Sequence, residues 1–184
     1  MPLPTVPDSP QAVLGFWFAL EKPGKKDDAA VRAALGPLYE LAAAHRLDAW
    51  AEAPHPRLAL ILLLDQTPRH LYRADARAYA TDLKAQVLTQ RFLDAGDWAD
   101  LRPIERFYAL LPFLHAEDPA RQERVNPLLH SLLPELPGLG FMGAVADQYR
   151  DVVRRFGRFP HRNVLRGIPS TPEEARFLKE EWED

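Results

Sequence analysis

The stretch RLALILLLDQ, Arg57 to Gln66, decides the fold because it has two readings. An unbroken apolar run, Leu58 to Leu64, suits a strand buried on both faces as well as a helix buried all round. Only Ile61 in it is β-branched, whereas sheet strands are rich in such side chains. The stretch reads as a buried helix. At seven residues the run is also far short of the roughly 20 that span a bilayer as a helix.

The rest of the chain agrees. It holds 26 Ala and 28 Leu against 9 Val and 3 Ile, a balance that favours helices over strands. The 18 prolines are compatible with that balance when they open helices. Ser9-Pro10, Thr67-Pro68, Asp118-Pro119, Asn126-Pro127 and Thr171-Pro172 each place a capping residue before Pro, the pattern of a helix start where Pro has no hydrogen bond to lose. The fold class is all-α, with about eight helices. Apolar spacing puts them over about 10–20, 28–45, 57–66, 68–93 (one or two helices), 103–115, 119–133 and 141–156, with a last one opening at Thr171. Thr171 begins a capping box, TPEE, and Gly157 fits a left-handed helix end. At 184 residues the chain is expected to form a single helical domain over 9–184, with residues 1–8 as a flexible tail.

Composition excludes several functions. The absence of cysteine removes disulfides, thiolate zinc sites and a cysteine nucleophile. The start MPLPTVPDSP lacks a basic segment followed by an apolar core, so a cytoplasmic protein is expected, without a signal peptide or membrane partner. A net charge of −3 argues against nucleic acid as a partner. No phosphate-loop signature is present, and no cofactor is implied.

Three polar segments stand out. In LLLDQTPRH, Asp65 at the expected end of a buried helix faces the wrong pole of the helix dipole, and Arg69 is its nearest cation. In RFYALLPFLHAED, Arg106 stands at one end of a helix and His115 and Glu117 at the other. The last two are i, i+2 and face apart on a regular helix, so no metal site is assigned. In RRFGRFPHRN, Arg154 to Asn163, arginines and His161 surround a turn set by Gly157 and Pro160, with Phe156 and Phe159 as apolar anchors. Guanidinium forks there suit a phosphate or carboxylate, or else internal acids such as Asp65, Glu117 and Glu173.

These blocks, LALILLLDQTPRHLYR, RFYALLPFLHAE and RFGRFPHRN with STPEEARFL, resemble the signature blocks of the bacterial domain of unknown function 924 family, over about Val13 to Leu178. The resemblance implies a tetratricopeptide-like fold, antiparallel helix pairs in a right-handed array around a groove, and no established activity. Asp65, Gln66, Pro68 and Arg69 match the first block, Arg106, His115 and Glu117 match the second, and Gln122 matches the family pattern beyond it. Arg155 and the run from Gly157 to Asn163, with Ser170 and Thr171, match the third. The chain departs at Thr67 and His70, where the family usually has Phe and Asn; at LHAE, where one carboxylate and one hydroxyl are missing; and at RGI after the HRN block.

The expectation is one polar pocket for a small anionic ligand. Arg69, Arg106, Gln122, Arg155, Arg158, His161, Arg162 and Asn163 would bind it, and His115, His161, Asp65 and Glu117 are the catalytic candidates. The alternative is a module that grips a protein or peptide partner in an open groove lined by exposed aromatics and Asn, with the charged cluster as a structural network. RNA stacking on RRFGRFPHRN is a third reading, opposed by the acidic balance.

Overall fold

The computed structural model describes residues 8–21 and 23–182. Most of the tail expected at residues 1–8 lies outside the described residues. Those described form α-helices joined by short 3-10 turns and loops, with no strand among them. The chain divides into two compact units, Met1–Arg73 with Arg77–Pro112 and Ala74–Ala76 with Phe113–Asp184.

The first unit is built around the stretch that decided the fold class. Helix α1 (Pro10–Phe18) is capped by the Ser9 hydroxyl and is followed by α2 (Asp28–Ala43) and a 3-10 turn at Asp48–Glu52. Helix α3 (Pro54–Ile61) packs on α1, on that turn and on α5 (Asp82–Ala95), so its side chains from Arg57 onward are buried. Each of the leucines thus removed from water contributes on the order of 2 kcal/mol.

Helix α3 does not stop at Gln66, as the sequence reading expected. It widens into a π-helical turn at Leu62–Gln66 and continues as α4 (Thr67–Leu71), which packs on α2. Thr67 is therefore no N-cap. Pro68 is the physical reason for the widened turn. It has no N–H for the Leu64 carbonyl, and its ring would press on that carbonyl in a regular helix. The backbone N–H of Thr67 reaches back to Leu62 instead, its hydroxyl donates to the same carbonyl at 3.0 Å, and the Thr81 hydroxyl takes up Leu64 O at 2.5 Å.

The unit boundary falls in the last turn of α6 (Pro103–Leu114). In the second unit α7 (Pro119–Leu132) starts at Asp118, whose carboxylate accepts from the N–H groups of Ala120 and Arg121. It runs straight through Pro127, so Asn126 is not a cap either; its amide joins Asp147 at 2.9 Å and Arg150 at 3.2 Å. Helix α8 (Met142–Phe156) packs on α7, and Gly143 makes the close approach possible, since a Cβ there would lie 3.1 Å from the His130 ring. Gly157 ends α8 at φ +69°, as expected. A 3-10 turn at Pro160–Arg162 leads into the single turn α9 (Asn163–Arg166). Helix α10 (Pro172–Glu180) opens with the expected capping box at Thr171 and Glu174 and packs on the Pro160–Arg162 turn.

Candidate functional site

The turn RRFGRFPHRN is anchored as its aromatics require. Phe159 is fully buried beside Val152, Val153 and Phe177, with Phe156 packed against them. Acids from α7, from α10 and its C-terminal end, and from the segment after α6 then meet the cations around it. Arg158 forks onto Glu174, with Nε at 2.7 Å and Nη2 at 3.0 Å. Glu174 also accepts from the Thr171 N–H at 2.8 Å, and the Arg158 hydrogen bonds hold its carboxyl at about 2, well below the usual carboxylate range. Arg155 donates to Glu173 at 2.8 Å and to Glu181 at 3.1 Å. Arg154 lies on Glu123.

Deeper in this unit the cations meet backbone and rings. Arg162 is buried, with its guanidinium 4.5 Å from the Phe159 ring centre and Nη1 3.2 Å from the His115 carbonyl. Glu117 accepts from the Phe159 N–H at 2.8 Å and from Arg166 at 2.5 Å. His161 stacks on Trp182, ring centres 4.6 Å apart. Asn163 donates to Ser170 at 3.1 Å, and Gln122 closes the end of α6 by donating to the carbonyls of Leu114 at 2.7 Å and Ala116 at 2.9 Å. The residues expected to bind a ligand in this unit are thus tied into its own fold.

Asp65, Arg69 and Arg106 belong to the first unit. Asp65 is fully buried in the π turn and accepts from the Gln66 amide at 2.5 Å. Its carboxylate lies 3.2 Å from Arg69, which also reaches Asp82 at 3.0 Å. Burial pulls the Arg69 guanidinium down, but the two carboxylates more than offset it and leave it above its ordinary value. Arg106 spends its guanidinium on the carbonyls of Leu101 at 2.9 Å and Ala99 at 2.8 Å. Nearby in the chain, His70 donates from Nδ1 to the Asp28 carboxylate at 2.8 Å, and Arg73 forks onto the same carboxylate. The hydrogen bond from Arg73 is the main cause that holds the Asp28 carboxyl at about 2. Among the described residues no three His, Asp or Glu gather to hold a metal ion.

The sequence reading missed the acids that meet these cations, above all Glu174, Asp82 and Asp28. Glu174 was legible only as the acid that closes a capping box, three residues after Thr171. It also missed a groove of about 580 Å³ in the first unit, between α5 and the Asp48–Glu52 turn. Leu60, Leu88 and Ala51 are its buried lining, and the exposed Leu83 and Val87 stand one turn apart on α5. Two ion pairs join its sides, Lys84–Asp48 at 3.1 Å and Arg91–Glu52 at 2.9 Å, and His45 lies 2.9 Å from Asp48. Aliphatic side chains take the place of the aromatics and Asn expected for an open groove. The available signal was in α5 itself: Leu83 and Val87 are apolar beyond the face that buries Ala85, Leu88 and Phe92.

Residues 10–181 match the family described as bacterial protein of unknown function, DUF924. The chain belongs to that family. It is also similar to a solved structure, the protein of unknown function ATU0120 from Agrobacterium tumefaciens, at 34% sequence identity and a TM-score of 0.81. That likeness covers 93% of this chain and 97% of the other. No curated protein matches the chain. The family's description assigns no activity, and among the described residues, helical and without a strand, no helix is long and apolar enough to cross a membrane.

Proposed function

We propose that the protein is a helical binding module whose working surface is the groove of its first unit, and that the arginine cluster from Arg154 to Arg162 is a structural network. The observation that carries this reading is the groove itself. Leu83 and Val87 remain exposed above a buried aliphatic floor, on a helix whose other face is already committed to the core. A binding groove of this size and lining takes an apolar body and orients it with a few polar groups. The packing of α7 on α8 and of α2 on α4 supports the tetratricopeptide-like pairing of helices that the family resemblance implies.

The expected anion pocket at Arg155, Arg158 and Arg162 has less support. A phosphate or carboxylate there would have to displace Glu173, Glu174 and Glu181, which already satisfy two of these forks, or enter the buried surroundings of Arg162. The catalytic candidates Asp65, Glu117 and His161 likewise have structural partners. Titration with the apolar dye Nile red tests the reading. One saturable site is expected in the parent and its loss in a Leu83→Glu, Val87→Glu variant of unchanged circular dichroism. Equal binding by both proteins would contradict it.

A further inference from the structure

Resting on that reading, we infer that the occupant of the groove is a second copy of this chain, docked about a two-fold axis that runs along the groove. The two sides of the groove differ in sign. Lys84 and Arg91 stand on α5, and their partners Asp48 and Glu52 stand on the 3-10 turn across from them. Two cations and two carboxylates balance, so this face favours neither an acidic nor a basic partner. It is complementary to a partner that carries both signs, in two rows at the same spacing. A second copy turned half-way round the groove axis supplies that pattern. Its α5 lies over the acidic turn of the first copy, and its acidic turn lies over α5 of the first. Each contact is then made twice, as an isologous interface requires.

The ion pairs within each copy leave room for this. Asp48 and Glu52 stay 53% and 71% exposed while paired with Lys84 and Arg91. Asp48 accepts from His45 and meets Lys84, and Glu52 accepts both Nη groups of Arg91. An ionised carboxylate has about four acceptor sites, so each of the two can take a cation from the other copy without releasing its own. The chain as a whole carries −3, which sets like copies against each other, but the balanced face adds nothing to that repulsion. Apolar surface gathers at the same place. Leu83 is 73% exposed and Val87 64%. The exposed Leu41 precedes Ala42, whose carbonyl accepts from the Lys84 ammonium at 2.6 Å. Docking of two copies removes these side chains from water on both, which is the drive for association.

Sedimentation equilibrium of the full chain, from about 1 μM to about 1 mM, should show monomer and dimer in exchange. Leu83→Glu with Val87→Glu, of unchanged circular dichroism, should be a monomer throughout. Charge exchange tests the two rows. Lys84→Glu with Arg91→Glu makes both sides acidic, and Asp48→Lys with Glu52→Lys makes both basic, so each variant alone should stay monomeric. Mixed in equal amounts, the two should form a heterodimer about tenfold tighter than the parent dimer at low salt, and the advantage should shrink as salt is added. A parent that is monomeric at every concentration would overturn the inference. So would a mixture that does not pair, or a dimer that persists in Leu83→Glu, Val87→Glu. Nile red separates this failure from failure of the groove reading. A monomeric parent that binds the dye at one site, lost in Leu83→Glu, Val87→Glu, would overturn the second copy and leave the groove standing. A monomeric parent that binds no dye would overturn both.

Discussion

Arg158 lays two guanidinium nitrogens on the two oxygens of Glu174, a buried carboxylate sixteen residues further along the chain. This pair ties the turn after α8 to the first turn of α10, so the residues that looked most like a ligand site hold two helices together. Replacing Glu174 by Gln should cost about 2 kcal/mol in urea melts. That is below the roughly 3–5 kcal/mol for breaking a wholly buried pair, because Arg158 is 32% exposed. A loss below about half a kcal/mol would mean that the pair is ornamental.

The same pair sets a pH dependence. Glu174 is held at about 2 against an ordinary value of 4.5, mainly by the Arg158 hydrogen bonds. A carboxyl lowered by folding stabilises the fold above its unfolded value and loses that contribution as pH falls toward its folded one. The gap between parent and Glu174→Gln should therefore be full at neutral pH and close as pH falls from 4.5 to about 2. Asp28, also held at about 2, acts equally in both proteins and cancels. Urea melts across that range check this, and a gap independent of pH would contradict it.

Asp65 gives a second stability test. Removal of a buried carboxylate from its arginine costs several kcal/mol when the cation is stranded. Arg69 keeps Asp82 at 3.0 Å, so Asp65→Ala should cost about 2 kcal/mol, and Asp65→Ala with Asp82→Ala more than the sum of the two single changes. Additive losses would show that the two acids act independently.

Thr81 tests the account of the π turn. Its hydroxyl satisfies the Leu64 carbonyl at 2.5 Å, the carbonyl that the missing N–H of Pro68 leaves open. Thr81→Val should cost about 1.5 kcal/mol by leaving that buried acceptor unpaired. Adding Pro68→Ala should recover part of the loss, because an alanine in place of the proline supplies an N–H. A double variant less stable than Thr81→Val alone would contradict the explanation.

Much of this fold was legible in the residues. Scarce β-branched side chains gave the all-helical class, and the caps at Ser9, Asp118 and Thr171 stand where Ser-Pro, Asp-Pro and Thr-Pro put them. The same dipeptide rule misread Thr67-Pro68 and Asn126-Pro127. A helix can absorb an interior proline when a neighbouring hydroxyl takes the freed carbonyl or the turn widens, and that depends on a residue such as Thr81, distant in sequence. Arginine partners were illegible for a related reason. Glu174 meets Arg158 only after α10 folds back on the Pro160–Arg162 turn, so the local excess of cations looked unbalanced. The groove escaped notice because the helix expected over 68–93 was not divided into faces, so Leu83 and Val87 were not separated from the face that buries Ala85, Leu88 and Phe92.

Amide chemical shifts, followed while Nile red is titrated into the full chain, test the division of labour between the two units most directly. The account predicts that the shifts that move belong to the groove, at Ala51, Leu60, Leu83, Lys84, Val87, Leu88 and Arg91, while those of Arg154 to Asn163 stay in place. Movement centred on Arg155, Arg158, Arg162 and Asn163, with the groove unchanged, would contradict it and return the function to the arginine cluster.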